Sequence, residues 1–317
     1  MNSAKYINYE LRPAKFVERK MFTSVLLNII GTESINYQYV GLGGLLFTDF
    51  KLFHKELGIS KMTSIEGGKK IDIKRIKFNK PFSFIQLEKG LSTDLLGDDE
   101  KVNLNSKTII WMDYDNDLEN FMFEDISHIF RKIPTKSVYF FTCNTTLKNY
   151  SGEVYSLTEL KEKYGKYVPY DISQKDLTEK NSQNVIKSML NKHINETLKT
   201  RNNIDDSNLK AHPLFQMKYS ESSGAPMMTY AVILENKDVN INEKYGLKKF
   251  DFVVKKNEDN FFEIDLPNVS NIERNLINVT EIDKQKKVTS KCALDPTEID
   301  KYRKLYKYLP TYFDVRQ

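Results

Sequence analysis

The chain has 317 residues, 40% hydrophobic and 12% aromatic, a globular composition with room for one large α/β domain and some appended elements. Its formal net charge of +5, from 48 basic and 43 acidic side chains, is too small to mark a nucleic-acid partner. Two cysteines, Cys143 and Cys292, exclude a disulfide framework and a cysteine-rich zinc site. No stretch reaches the roughly 18–20 apolar residues of a bilayer span, and the polar N-terminus lacks a signal-peptide run, so a cytoplasmic protein without membrane contact is expected.

Residues 1–34 read as a basic segment and a helix: Phe16, Met21, Val25, Leu26 and Ile29 recur at helical spacing over 16–30, before Gly31. The strand YQYVGLG follows, and a helix over 46–57, with Leu46, Phe47, Phe50, Phe53 and Leu57 on one face, ends at Gly58. Further strands are predicted at MTSIE, which ends in Glu66 before Gly67 and Gly68, at 82–88 and at 108–114. A helix near 121–132 then leads to the dense apolar strand 137–144. The order is β-α-β-β-β-α-β. Residues 150–212 are polar and read as an insertion holding a helix around 181–199. Residues 214–236 give two strands around Ser222-Ser223-Gly224-Ala225-Pro226, a hairpin signal. The remainder, 237–317, reads as an extension with short strands at KFDFVVKK and NFFEIDL. Its final helix, from Pro296, carries Tyr302, Leu305 and Tyr306 on one face. The expected fold is α/β, a Rossmann-like, mostly parallel seven-stranded sheet over 35–236 that closes in an antiparallel hairpin.

Gly41-Leu42-Gly43-Gly44 stands between a strand and a helix, where missing Cβ atoms let the backbone approach a ligand and the helix N-terminus offers free N–H groups. Glu66 ends the next strand, the position from which a nucleoside-binding sheet holds both ribose hydroxyls. Glycines in this order resemble the class I methyltransferase family. The resemblance implies S-adenosylmethionine as cofactor, bound by Gly41, Leu42, Gly43, Gly44, Glu66, Asp94, Asp113 and Tyr114. In that family the loop after the fourth strand, here Asp113-Tyr114-Asp115-Asn116, faces the methyl acceptor, which makes Asp113 and Asp115 the implied catalytic residues. Two positions depart from the family pattern: Tyr39 stands where an acid is usual and Leu45 where a third glycine is usual.

YELRPAKFVERKM, YVGLGGLLFTDFKLFHKELGI, SIE, RIKFNKPF and MDYDN together resemble a family of bacterial proteins described as O-methyltransferases. Several of these occur in phage-defence settings, which implies an antiviral role with an unspecified acceptor. Arg12, Lys15 and Arg19 form a basic cluster that would bind substrate or cover the cofactor as a lid, with Glu18 pairing locally. The alternative is a nucleotide-binding sensor or interaction module that transfers no methyl group, with a protein partner or a second copy of the chain on its exposed aromatic surface. A nicotinamide dehydrogenase is disfavoured by the incomplete glycine motif, and DNA base N-methylation by the absence of proline in Asp113–Asn116. Asn79-Lys80-Pro81-Phe82 precedes the third strand and reads as a turn. His54, His128, His193 and His212 lack metal-site spacing, and no metal is assigned. Cys143 and Trp111 are expected in the core.

Overall fold

The computed structural model describes residues 12–67, 72–220, 225–255 and 260–310. Tyr9, Glu10 and Leu11 of the basic segment, Gly68, the hairpin residues Ser222, Ser223 and Gly224, and residues 311–317 lie outside the described residues. In chain order the elements are α1 (Pro13–Ile30), β1 (Tyr37–Gly41), α2 (Thr48–Leu57), β2 (Lys61–Glu66), α3 (Ile73–Asn79), β3 (Ile85–Lys89), α4 (Ser92–Gly97), β4 (Lys107–Asp113), α5 (Asn120–Lys132) and β5 (Val138–Asn144). They continue with α6 (Leu157–Tyr164), α7 (Ser182–Asp205), β6 (Leu209–Tyr219), β7 (Met227–Asn236), α8 (Ile241–Lys244), β8 (Phe262–Ile264), α9 (Asn271–Asn278), α10 (Gln285–Cys292) and α11 (Pro296–Leu305).

Among the described residues the sheet has eight strands in the order β3-β2-β1-β4-β5-β7-β6-β8, one more than the seven expected. Strands β1 to β5 run parallel, β7 is antiparallel to both β5 and β6, and β8 adds parallel to β6 at Met217–Tyr219. The sheet therefore extends past residue 236, because the short FEI run finds the open edge of β6. The other strand expected in the extension is absent: Phe252 and Val253 are buried in a loop, and Val254 N–H donates to the Leu214 carbonyl. β6 starts at Leu209, inside the stretch read as an insertion. It tolerates Pro213, next to a register irregularity, because β8 does not reach that far along the edge.

Two helices were missed between β2 and β4. α3 and α4 have seven and six residues, too few for helical periodicity to show, yet they supply the crossovers that parallel neighbours need. Both faces of the sheet are covered, so the central strands are apolar throughout and alternate between two cores. Val40, Ile110, Met112, Tyr139 and Phe141 face α4–α7. Tyr39, Ile109, Trp111, Val138 and Phe140 face α1, α2 and the C-terminal segment, into which Leu305 also packs. The final helix buries Tyr302 and Leu305 but leaves Tyr306 exposed, in place of the shared face expected. Cys143 and Trp111 are fully buried. No helix among the described residues is long and apolar enough to cross a membrane.

The strand order places a topological switch point between β1 and β4. There the chain leaves to opposite sides, the arrangement that in open α/β sheets forms a crevice at the carboxyl ends of the strands. Gly41 pairs with Trp111 across this junction, so the glycine turn and the Asp113 loop emerge side by side.

Candidate nucleoside site

β1 ends in Gly41, and the turn after it depends on two glycines. A Cβ on Gly43 would sit 2.4 Å from Ser64 Oγ and 2.8 Å from the Phe47 ring, and Gly44 has φ +56°. Gly43 N–H donates to Ser64 Oγ at 3.0 Å, and Ser64 Oγ donates to Glu66 Oε1 at 2.7 Å. Gly44 N–H also bonds to Glu66. The turn and the acid after β2 are thus one hydrogen-bonded unit. Burial raises the Glu66 pKa to about 7, against the lowering effect of its bonds from Ser64 and Gly44. Ser64 went unremarked in the sequence, although its place two residues before Glu66, on the same face of β2, was the available signal.

The helix does not begin directly after the glycines. Residues 44–46 form a turn, Phe47 adopts φ +48°, and α2 starts at Thr48 instead of Leu46. Asp49 stands in the first turn of α2 and pairs with Arg19, both nearly buried. Tyr39, at the position where an acid is usual, is fully buried and packs edge-on against Phe50 and Phe53. Its hydroxyl has no hydrogen-bond partner and lies where a Cβ on Gly41 would fall.

Lys15 and Arg19 of the basic cluster do not lie on the surface. Lys15 and Arg19 are 1% and 3% exposed, because α1 crosses the sheet face over Trp111 and buries its charged stripe with its apolar one. Lys15 Nζ lies 2.9 Å from Asp113 Oδ1, 3.0 Å from Glu18 Oε2 and 4.6 Å from the Trp111 ring centroid. Burial disfavours the ammonium, but Asp113 and Glu18 together outweigh it and Lys15 stays protonated. A chain of donors leads to Glu18: Trp111 Nε1–H donates to Thr142 Oγ1 at 2.9 Å, Thr142 and Thr229 hydroxyls lie 2.7 Å apart, and Thr229 donates to Glu18 Oε1 at 2.5 Å. Since Thr229 has one hydroxyl proton and gives it to Glu18, Thr142 accepts from Trp111 and donates to Thr229. Tyr219, at the end of β6, points a buried and unpartnered hydroxyl at the same region, and burial pushes its phenol up. Glu18 pairs locally with Lys15, as expected, whereas Asp49, Thr229 and Tyr219 were not assigned here from the sequence; distant along the chain, they meet the cluster only through the fold.

At the loop after β4, Asp113 reaches the crevice with its side chain 13% exposed, and Asp115 is exposed. Tyr114 turns the other way: it is buried in the opposite core, its hydroxyl donating to Asp125 Oδ2 at 2.6 Å and its N–H to the Thr142 carbonyl. Its side chain therefore does not face the crevice as expected. Asp94 is exposed in the first turn of α4, beside Leu91, which is 63% exposed. Leu42, Gly43 and Gly44 are half-buried beyond the end of β1, and Arg12 is half-buried at the N-cap of α1. Among the described residues no cluster of His, Cys, Asp and Glu could hold a metal ion.

A family model described as "Putative O-methyltransferase" matches residues 7–317. No curated protein matches the sequence. Among solved structures, the chain is similar to N-methyltransferase NodS from Bradyrhizobium japonicum WM9, in complex with S-adenosyl-L-homocysteine. That match has TM-score 0.39 and 10% identity and covers 73% of this chain and 91% of that one. It is also similar to the O-methyltransferase TomG from Streptomyces achromogenes, in complex with SAM, at TM-score 0.39 and 11% identity, with 68% and 79% covered. An O-methyltransferase from Bacillus cereus, in complex with SAH, matches at TM-score 0.35 and 12% identity, with 68% and 80% covered.

Proposed function

Because this chain belongs to the family described as putative O-methyltransferases, we propose that the crevice between β1 and β4 binds S-adenosylmethionine and that the chain moves its methyl group to a hydroxyl acceptor. The single observation that carries this reading is the unit made by Gly43, Gly44, Ser64 and Glu66. A buried carboxylate at the end of β2 offers acceptor oxygens to a ribose diol, and the glycine turn tied to it, lacking Cβ atoms, lets the backbone come close to the rest of the nucleoside. The donor set fits the group: Glu66 for the ribose, Leu91 and Asp94 for the adenine, and Gly41 to Gly44 with Asp113 toward the methionine end. When bound, S-adenosylmethionine supplies an electrophilic methyl group on a sulfonium.

The protein's own part is to align the acceptor and take its proton. Lys15 occupies Asp113 Oδ1, so Asp113 meets an acceptor with its other oxygen from a fixed orientation, as a hydrogen-bonding anchor. Asp115 is exposed on the same loop, where a proton taken from the acceptor can pass to solvent.

Calorimetric titration with S-adenosylhomocysteine, with NAD as control, tests the reading. Binding that disappears in Glu66→Ala supports it, and no binding by folded wild type refutes it. Transfer of a radiolabelled methyl group to hydroxyl acceptors, lost in Asp115→Asn while S-adenosylhomocysteine binding persists, supports catalysis. Binding without transfer to any acceptor assigns the chain to the sensor class, the reading that Tyr39 in the acid position favours. We extend the proposal to defence against phage, supported by the sequence resemblance alone; plaque counts that do not differ between cells carrying wild type and Glu66→Ala would remove it.

A further inference from the structure

The loops after β3 and β4 hang from one buried carboxylate. Asp125, on α5, is 0% exposed. Ser92 Oγ donates to its Oδ2 at 2.6 Å, Thr93 Oγ1 to its Oδ1 at 2.7 Å, and the Tyr114 hydroxyl to Oδ2 at 2.6 Å. Ser92 and Thr93 open α4, whose N-cap position is Leu91 and has no side-chain cap of its own. The far end of α4 is held separately, by Lys132 Nζ bonded to the carbonyls of Leu96 and Gly97 at 3.0 and 3.4 Å and to Asp99 at 2.6 Å. Both anchors come from α5, so without Asp125 the freedom gained falls on the end of α4 that carries Leu91 and Asp94.

A fully buried carboxylate costs several kcal/mol unless its oxygens are satisfied, so such a group is an expensive way merely to fill a core. Burial pushes the Asp125 pKa up while its bonds from Ser92, Tyr114 and Thr93 act the other way. What this carboxylate holds together are the two chain segments that flank the nucleoside end of the crevice. One presents an exposed leucine and, three residues on, an exposed aspartate. An apolar side chain beside a carboxylate matches a purine, which has a flat apolar face and an exocyclic amine at its edge.

We propose that Asp125 is a positioning residue for the adenine end of the cofactor, setting Leu91 and Asp94 against the loop after β4 through Ser92, Thr93 and Tyr114. The inference rests on the cofactor reading above. A residue that only stabilises the core would lower thermal stability and leave the affinity of the folded protein unchanged; a positioning residue changes affinity in the folded protein.

The test is calorimetric titration of the full chain with S-adenosylhomocysteine and with adenosine, well below each variant's melting temperature. It compares wild type, Asp125→Asn, Asp125→Ala, the Ser92→Ala/Thr93→Ala double variant and the combined triple. The expected result is about tenfold weaker binding of both ligands in Asp125→Ala and in the double variant, and a smaller loss in Asp125→Asn. The triple should be no weaker than Asp125→Ala, because the double variant removes only contacts that Asp125→Ala already removes. If Asp125→Ala fails to fold, the double variant and Asp125→Asn carry the comparison. Wild type that binds, with affinities unchanged within about twofold in folded variants or with losses that add in the triple, overturns the inference alone. Wild type that binds neither ligand overturns the cofactor reading and this inference with it.

Discussion

Replacing Glu66 with Gln separates ligand binding from stability, and the two should move in opposite directions. Glu66 is 7% exposed, and burial lifts its pKa from an ordinary 4.5 to about 7. The folded protein therefore holds this proton more tightly than the unfolded chain does, so the group's contribution to stability is full below pH 4.5 and is lost as pH rises through about 7. At about 1.4 kcal/mol per pH unit, the cost of the buried charge above pH 7 is at most about 3 kcal/mol. Glu66→Gln carries no such charge and should be the more stable protein at about pH 8, by up to that amount, with the gain gone near pH 4. Urea unfolding at the two pH values measures it. Binding runs the other way, since only the carboxylate accepts from both ribose hydroxyls. At about pH 6 nine-tenths of the free wild type carries neutral Glu66, so S-adenosylhomocysteine should bind about tenfold more weakly than at about pH 8. In Glu66→Gln binding should be weak and flat with pH. Wild-type affinity that does not vary over this range, or a Gln variant no more stable at pH 8, would refute the reasoning.

Lys15→Met should cost about 3–5 kcal/mol in chemical denaturation, because it leaves the buried Glu18 and the largely covered Asp113 without their shared cation. Gly43→Ala should lose about 1–3 kcal/mol by overpacking and should weaken S-adenosylhomocysteine binding, since the new Cβ meets the Ser64 oxygen that holds Glu66. Trp111→Phe keeps the ring in the core but leaves Thr142 without its donor; a loss of about 1–2 kcal/mol is expected in urea unfolding, and no loss would show the donor chain to Glu18 to be without weight.

Much of the candidate site was legible as a pattern before the fold. Gly41, Gly43, Gly44 and Glu66 stand out because a glycine turn after one strand and an acid after the next are local patterns, readable from residue type and order. The structure joins them through Ser64. Other parts were not legible for stated reasons. α3 and α4 are shorter than two turns, so no periodicity could mark them. The FEI strand is three residues long and is a strand only because β6 offers it an edge.

The sequence by itself determined the strands of the sheet's first half and the longer helices α1, α2 and α5, the apolar runs that must be buried on both faces, and the position of the glycine turn before its acid. These follow from backbone sterics and from the burial of side chains at fixed periods, which act over a few residues. Only the tertiary structure decided where the charges of α1 go. Read along the chain, Lys15, Glu18 and Arg19 look like the solvated side of an amphipathic helix. In the fold, that side faces Asp113, Thr229 and Asp49, which lie 98, 211 and 30 residues away. An ion pair formed across such separations depends on the sheet that brings its ends together, and the low dielectric of the core that makes it strong exists only once the sheet is packed.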